Sequence, residues 1–375
     1  MRDDLLHLFV DNILCCNLIM SNYFDERDTK NIEKTRELCE ELPSFVMQFV
    51  VGIQLRTTAL TRLNYVRDIK TFFEYLIKYK FKNYSAPYQI TLLDLNSLQA
   101  FDVELFLDYL GSYDKNGSKH KCGDAAKERK LSSLRSFFKY LYRKNLLNEN
   151  ITSKIETPKV GEKPIRFLEI NEIANLLDAA ENGESLSTKQ KIFHNITKLR
   201  DVAILSIFLG TGIRISECVG LNRDDFDFAQ NAVKITRKGG AQTLLYFSDE
   251  VKKALLDYLF WVDDQIAEGT DFGLKIVDKQ PFFLSLRGTR ITVRAVQMLV
   301  EKYCRIVSPL KHITPHKLRS TFGTTLYRET QDIYVVADVL GHRDVNTTKK
   351  HYAAISDEIR RKAANVVKLR DDNDD

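Results

Sequence analysis

Four short segments hold the side chains whose types and spacing could do chemistry. Thr211-Gly212-Ile213-Arg214-Ile215-Ser216-Glu217 sets Arg214 and Glu217 three apart, on one face of a helix, where the carboxylate can hold the guanidinium in one orientation. Lys238 precedes Gly239-Gly240 at what reads as the tip of a hairpin. His316-Lys317-Leu318-Arg319-Ser320-Thr321-Phe322 follows Pro315 and places His316 and Arg319 three apart on a second helix. Leu340-Gly341-His342 comes next, and Thr347-Thr348-Lys349-Lys350-His351-Tyr352 ends ten residues after His342. Taken singly, each has an ordinary explanation. An Arg–Glu pair at this spacing is usually a surface ion pair worth under about 1 kcal/mol. A lysine before two glycines is usually a solvated turn residue, and Leu-Gly-His reads equally well as a helix stop. Only their order along the chain gives them a joint meaning.

That ordered set, Arg, Lys, His-x-x-Arg, His and Tyr, resembles the tyrosine recombinase (phage integrase) family, and within it the Xer-like site-specific recombinases. The motif-level resemblance spans about 198–360. One departure is visible: Ser320 stands where many members carry another His after the His-x-x-Arg pair. The resemblance implies transesterification at a DNA phosphodiester through a 3′-phosphotyrosine. Tyr352 is the implied nucleophile, and its ordinary pKa of about 10 means that its deprotonation must be assisted. Arg214 and Arg319 are implied to neutralise charge on the nonbridging oxygens with forked donors that lysine cannot imitate. His316 is the implied proton acceptor, His342 a further phosphate donor, Lys238 the general acid at the leaving 5′ oxygen, and Glu217 an orienting group behind Arg214 or His316. No metal and no cofactor are implied, because fixed cations take the electrostatic role.

The elements that must position these groups follow from periodicity. Residues 25–42 are charged and helix-friendly, and 5–20 suggest a short amphipathic helix. The spacing predicts a helix over 57–80, with Leu60, Leu63, Val66, Ile69, Phe73 and Leu76 as its apolar stripe. A short helix is predicted at 102–111, a loop at 113–123, and a basic amphipathic helix at 124–145 with Leu131, Leu134, Phe138 and Leu141 inward. Arg62, Arg67, Lys127, Lys130, Arg135 and Lys139 fall beside these stripes and are candidate DNA contacts. Residues 151–166 lose all hydrophobic period around Pro158, Gly161 and Pro164 and read as a basic linker. Beyond it, helices are expected at 169–180, 198–209, 213–221, 249–261, 292–307, 315–328, 331–340, 347–354 and 357–368, with a hairpin over 232–247.

The fold expected is therefore mainly α. The resemblance implies that residues 55–150 are a helical, SAM-like core-binding domain, after a helical extension at 1–54. A mixed α/β, mostly helical catalytic domain at 167–375 carries a small antiparallel sheet. The 375 residues suit two domains, and 44% hydrophobic with 29% charged side chains excludes a disordered or collagen-like chain. The net charge of +5 conceals an uneven distribution. Residues 119–166 hold 13 Lys and Arg against 5 Asp and Glu, between acidic ends. Such a belt invites a polyanion, nucleic acid first.

The resemblance implies as partners double-stranded DNA bearing paired inverted repeats and further copies of the chain, forming a tetramer on two sites. A second recombinase or an accessory protein is an open partner. The segment 357–368 is the candidate docking helix, with Ile359, Ala363, Val366 and Val367 as its apolar contacts. Residues 1–54 are acidic and helical, unlike a basic, β-containing arm-site domain, and this favours a Xer-type dimer-resolution role over a mobile-element integrase. A catalytically silent DNA-binding protein is the third reading. The apolar stretches fall short of a membrane span, and six cysteines without a CxxC pair suit a reducing compartment, so a cytoplasmic, nucleoid-associated protein is expected.

Overall fold

The computed structural model describes residues 23–115, 117–157, 166–237, 240–268, 277–341 and 344–346. The chain divides into two compact units, Met1–Glu162 and Lys163–Asp375.

Among the described residues, the first unit packs six α-helices around one aromatic core: α1 (Tyr23–Glu40), α2 (Ser44–Gly52), α3 (Ala59–Tyr79), α4 (Leu92–Asn96), α5 (Ala100–Tyr109) and α6 (Asp124–Arg143). Helix α3 starts where the Thr58 hydroxyl accepts the Thr61 amide, a standard N-cap. Its predicted stripe is buried from Leu63 to Leu76, whereas Leu60 in the first turn is exposed. Leu131, Leu134, Phe138 and Leu141 of α6 are fully buried, as their spacing predicts. The N-terminal extension shares this core. Phe45 and Phe49 of α2 lie against Phe137 of α6, and the Tyr140 hydroxyl donates to the Gln48 carbonyl at 2.9 Å. The packing thus has no break at residue 54.

The segment 113–123 is not simply a loop. β1 (Tyr113–Lys115) pairs antiparallel with β2 (Ser118–His120), Tyr113 opposite His120. The strand Ser118–His120 is exposed throughout, so no inside–outside alternation marks it in the sequence.

The second unit is built on α8 (Thr188–Thr211), whose Ala203, Ile204, Leu205, Ile207 and Phe208 are fully buried. It runs ten residues further toward its N-terminus than predicted, because Ser187 and Gln190 form a capping box. Around it pack α7 (Ile170–Asn182), α10 (Asp249–Glu268), α11 (Val293–Val307) and α12 (Pro315–Thr330). α9 (Ile215–Gly220) and α13 (Ile333–Leu340) are short. The sheet has three antiparallel strands in the order β3 (Phe226–Asp227), β4 (Ala232–Thr236) and β5 (Gln242–Tyr246), with Val233 opposite Leu245. A buried carboxylate, Asp201, ties α8 to α11: it accepts from Arg200, from Lys302 at 2.9 Å and from the Tyr303 hydroxyl at 2.9 Å.

The architecture is mostly helical with small antiparallel sheets, the predicted class. Among the described residues no helix is long and apolar enough to cross a membrane. The helices predicted at 5–20, 347–354 and 357–368 lie outside the described residues.

Candidate active site

Arg214 is the extended residue that precedes α9, with φ −77° and ψ 148°, rather than a residue within the helix. Glu217 reaches back from the third helical position. One of its oxygens accepts the Arg214 amide at 2.9 Å and the other accepts Arg214 Nη1 at 2.9 Å. Glu217 is buried, so its charge stays close to the guanidinium it orients. The chain can enter α9 at this angle because Gly212, at φ 62°, ends α8 in the left-handed region. A Cβ there would press on Phe322 and Leu340.

Arg319 sits buried on α12, which starts with Pro315 at a position where no amide donor is needed. Its Nη1 donates to the Gly212 carbonyl at 2.5 Å and its Nη2 to the Leu340 carbonyl. Arg214 Nη2 donates to that same Leu340 oxygen at 3.4 Å and to the Gly341 oxygen at 3.2 Å. Two arginines 105 positions apart in the chain therefore share one carbonyl at the end of α13. His316, one turn before Arg319, is exposed, and a cavity of about 430 Å³ beside it is lined by Ile215, Arg294, Gln297, Glu301 and His312.

The arrangement gathers fixed positive charge beside an exposed imidazole, the kind of site that binds and polarises an oxyanion. Cys218, next to Glu217, is no competing nucleophile, because burial pushes its thiol pKa up and the Glu217 charge adds to the effect. Lys238, His342 and Tyr352 lie outside the described residues.

Arg237 is a site residue that motif reading passes over. Its Nη2 donates to the Val339 carbonyl at 3.2 Å. Burial lowers its guanidinium pKa, the Glu217 charge opposes that and the Arg214 charge adds to it, so it belongs to the same electrostatic cluster. The only sequence signal is a second basic residue directly before Lys238.

The candidate DNA contacts of the first unit divide. Lys139 and Arg67 are exposed, and Lys127 is half-buried. Lys130 is not a surface residue: its ammonium donates to the buried Asp68 at 2.9 Å, and the same carboxylate accepts from the buried Ser133 hydroxyl and from the exposed Arg129. The burial of Lys130 has a physical cause, since Asp68 is 2% exposed and a buried carboxylate is costly unless donors and cations surround it. Arg135 is committed to the Thr157 hydroxyl and the Ile155 carbonyl, and Arg62 to the Thr57 carbonyl.

Residues 166–358, more than half of the chain, match the model of the phage integrase family. The chain belongs to this family. It is a tyrosine recombinase, an enzyme of DNA cleavage and rejoining. Among its relatives, tyrosine recombinase XerC of Thermodesulfovibrio yellowstonii is 34% identical over 222 residues, 59% of this chain and 68% of that protein. XerC of Caldanaerobacter subterraneus subsp. tengcongensis is 32% identical over 80% of this chain and 79% of its own. Tyrosine recombinase XerS of Streptococcus agalactiae is 28% identical over 87% of this chain and 96% of its own. In fold, the chain is similar to the XerH site-specific recombinase bound to palindromic difH substrate, with a TM-score of 0.57, 18% identity and coverage of 82% and 80%. The Tn1549 transposon integrase with circular intermediate DNA gives 0.56, 18% identity and coverage of 82% and 94%.

Proposed function

We propose that this tyrosine recombinase is a site-specific enzyme of the Xer type that resolves chromosome or plasmid dimers in the cytoplasm, acting as a tetramer on two paired inverted-repeat DNA sites. The observation that carries the catalytic part is the convergence of Arg214 and Arg319 on the Leu340 carbonyl, with Glu217 holding Arg214. A scissile phosphate entering there meets two forked cations at once. The oxygen of Tyr352 attacks phosphorus, the 5′ oxygen leaves, and the phosphotyrosine bond keeps the energy needed for rejoining. In this reading His316 accepts a proton near the phosphate, Lys238 gives one to the leaving 5′ oxygen, and His342 donates to the phosphate. The Xer-type role is supported by relatives that carry that name along most of their own length.

The test is covalent trapping on a nicked suicide duplex. The wild type should form a protease-sensitive DNA adduct, and Tyr352→Phe should bind the same duplex without forming one. An adduct from the Phe variant refutes the assignment. Loss of the 357–375 segment should abolish paired-site complexes while sparing binding to a single site. Recombination between two inverted-repeat sites on one plasmid, in the absence of mobile-element ends, separates the Xer-type role from an integrase.

A further inference from the structure

Three arginines from three separate elements meet at one helix end. Arg214 precedes α9, Arg237 follows β4, and Arg319 sits on α12. Their acceptors are three successive carbonyls at the C-terminus of α13: Val339 for Arg237, Leu340 for Arg214 and Arg319, and Gly341 for Arg214 again. Helical amide donors run out at such an end and partial negative charge collects there, so cations are favoured. Gly341 closes α13 at φ 62°, and a Cβ on it would overlap the Arg237 guanidinium. Arg237 thus fills the space that a side chain at 341 would take. Its main chain meanwhile closes the β4–β5 turn: its amide donates to the Ala241 carbonyl at 2.8 Å, and its carbonyl accepts the Gly240 amide at 3.0 Å. A single residue ties the turn of the hairpin to the end of α13.

We propose that Arg237 is a positioning residue for Arg214 and Arg319, fixing the helix end on which both of their guanidinium groups are seated. It needs no contact with the phosphate to do so. With Arg237 in place, the carbonyls of 340 and 341 stay where Arg214 and Arg319 need them. Without it, that terminus can shift and both guanidinium groups shift with it. The inference rests on the reading of Arg214 and Arg319 as ligands of the scissile phosphate.

The experiment compares wild type, Arg237→Ala and Arg237→Lys in single-turnover cleavage of two nicked duplexes. One has an ordinary phosphodiester at the cleavage position and the other a methylphosphonate, which lacks the negative charge that the two arginines neutralise. Misplacing catalytic groups by about 1 Å costs on the order of 10²-fold, so R237A should lose roughly that much on the diester and stay within about threefold of wild type on the methylphosphonate. R237K, which keeps charge without the forked geometry, should fall between them. DNA affinity and melting temperature should stay close to wild type, which separates positioning from a folding defect. Should R237A not fold, R237K decides by the same comparison. An equal loss on both linkages, or no loss on either, overturns the proposal. A wild-type protein that forms no adduct on the diester overturns instead the reading of the site on which the proposal rests.

Discussion

Replacing Glu217 by Gln removes one charge and leaves the shape of the side chain. Its two oxygens now hold Arg214 twice, through the backbone amide and through Nη1, each at 2.9 Å. Glutamine has one acceptor, so one of these bonds survives, and its amide nitrogen then faces a donor. The Arg214 side chain is 37% exposed, so water screens part of the ion pair, and the Coulomb term is discounted accordingly. The hydrogen bond is charge-assisted and worth about 1.5–3 kcal/mol. At about 1.36 kcal/mol per tenfold in rate, cleavage should slow about 10- to 150-fold. Single-turnover adduct formation on a nicked suicide duplex measures this, with affinity for the uncleaved duplex followed in parallel. Binding should change far less than cleavage, because Arg214 keeps its charge. A rate within about threefold of wild type would refute the idea that Glu217 orients Arg214. An equal loss in affinity would make Arg214 mainly a docking residue.

Asp68→Asn should strip the compensating charge from buried Lys130, costing about 3 kcal/mol, the lower end of the range for a broken buried pair because Arg129 is 53% exposed and keeps water. A fall of several degrees in the melting temperature of the first unit checks it, and an unchanged transition contradicts it. Lys139→Ala should weaken DNA binding and lower the slope of log affinity against log salt by about 1, whereas Lys130→Met should leave that slope alone and reduce stability. Burial pushes the Glu172 carboxyl up, but Lys311, the Glu169 amide and Ser308 together bring it below its usual value. A carboxyl with a depressed folded pKa adds stability above its unfolded pKa and loses it as pH falls through the folded one, so denaturation midpoints should drop in acid less steeply for Glu172→Gln than for wild type.

The helices that could be read in advance are those with one buried face. α3 and α6 show it plainly, and their stripes are inside as predicted, Leu60 apart. α2 escaped because Ser44–Gly52 is apolar nearly all round and has no period to detect. The 113–120 hairpin escaped for the opposite reason, since its second strand is exposed throughout and has no apolar face. Lys130 misled because a helical wheel knows its own helix only; the carboxylate that draws it inward is 62 residues away, on α3. In the site, the order of the motifs along the chain singled out Arg214 and Arg319, and the Arg214–Glu217 spacing marked their ion pair. The common anchor of the two arginines did not show, because main-chain carbonyls carry no sequence signal. Arg237 was hidden for the same reason.

The aromatic contacts of α2 bear on how the first unit is made. Phe45 and Phe49 meet Phe73 and Tyr65 of the nearby α3 on one side and Phe137 and Tyr140 of α6 on the other, and the Tyr140–Gln48 bond closes over 92 residues. On a growing chain, α2 and the adjoining α3 leave the ribosome long before α6 does, so only the α3 side of these rings finds its partner early. Closing so long a loop costs entropy before the contact returns anything, and such non-local closure slows folding. The face of Phe45 and Phe49 that meets Phe137 therefore waits until the last helix of the unit emerges. Until then that face is open apolar surface, the kind that makes partly folded chains prone to aggregate.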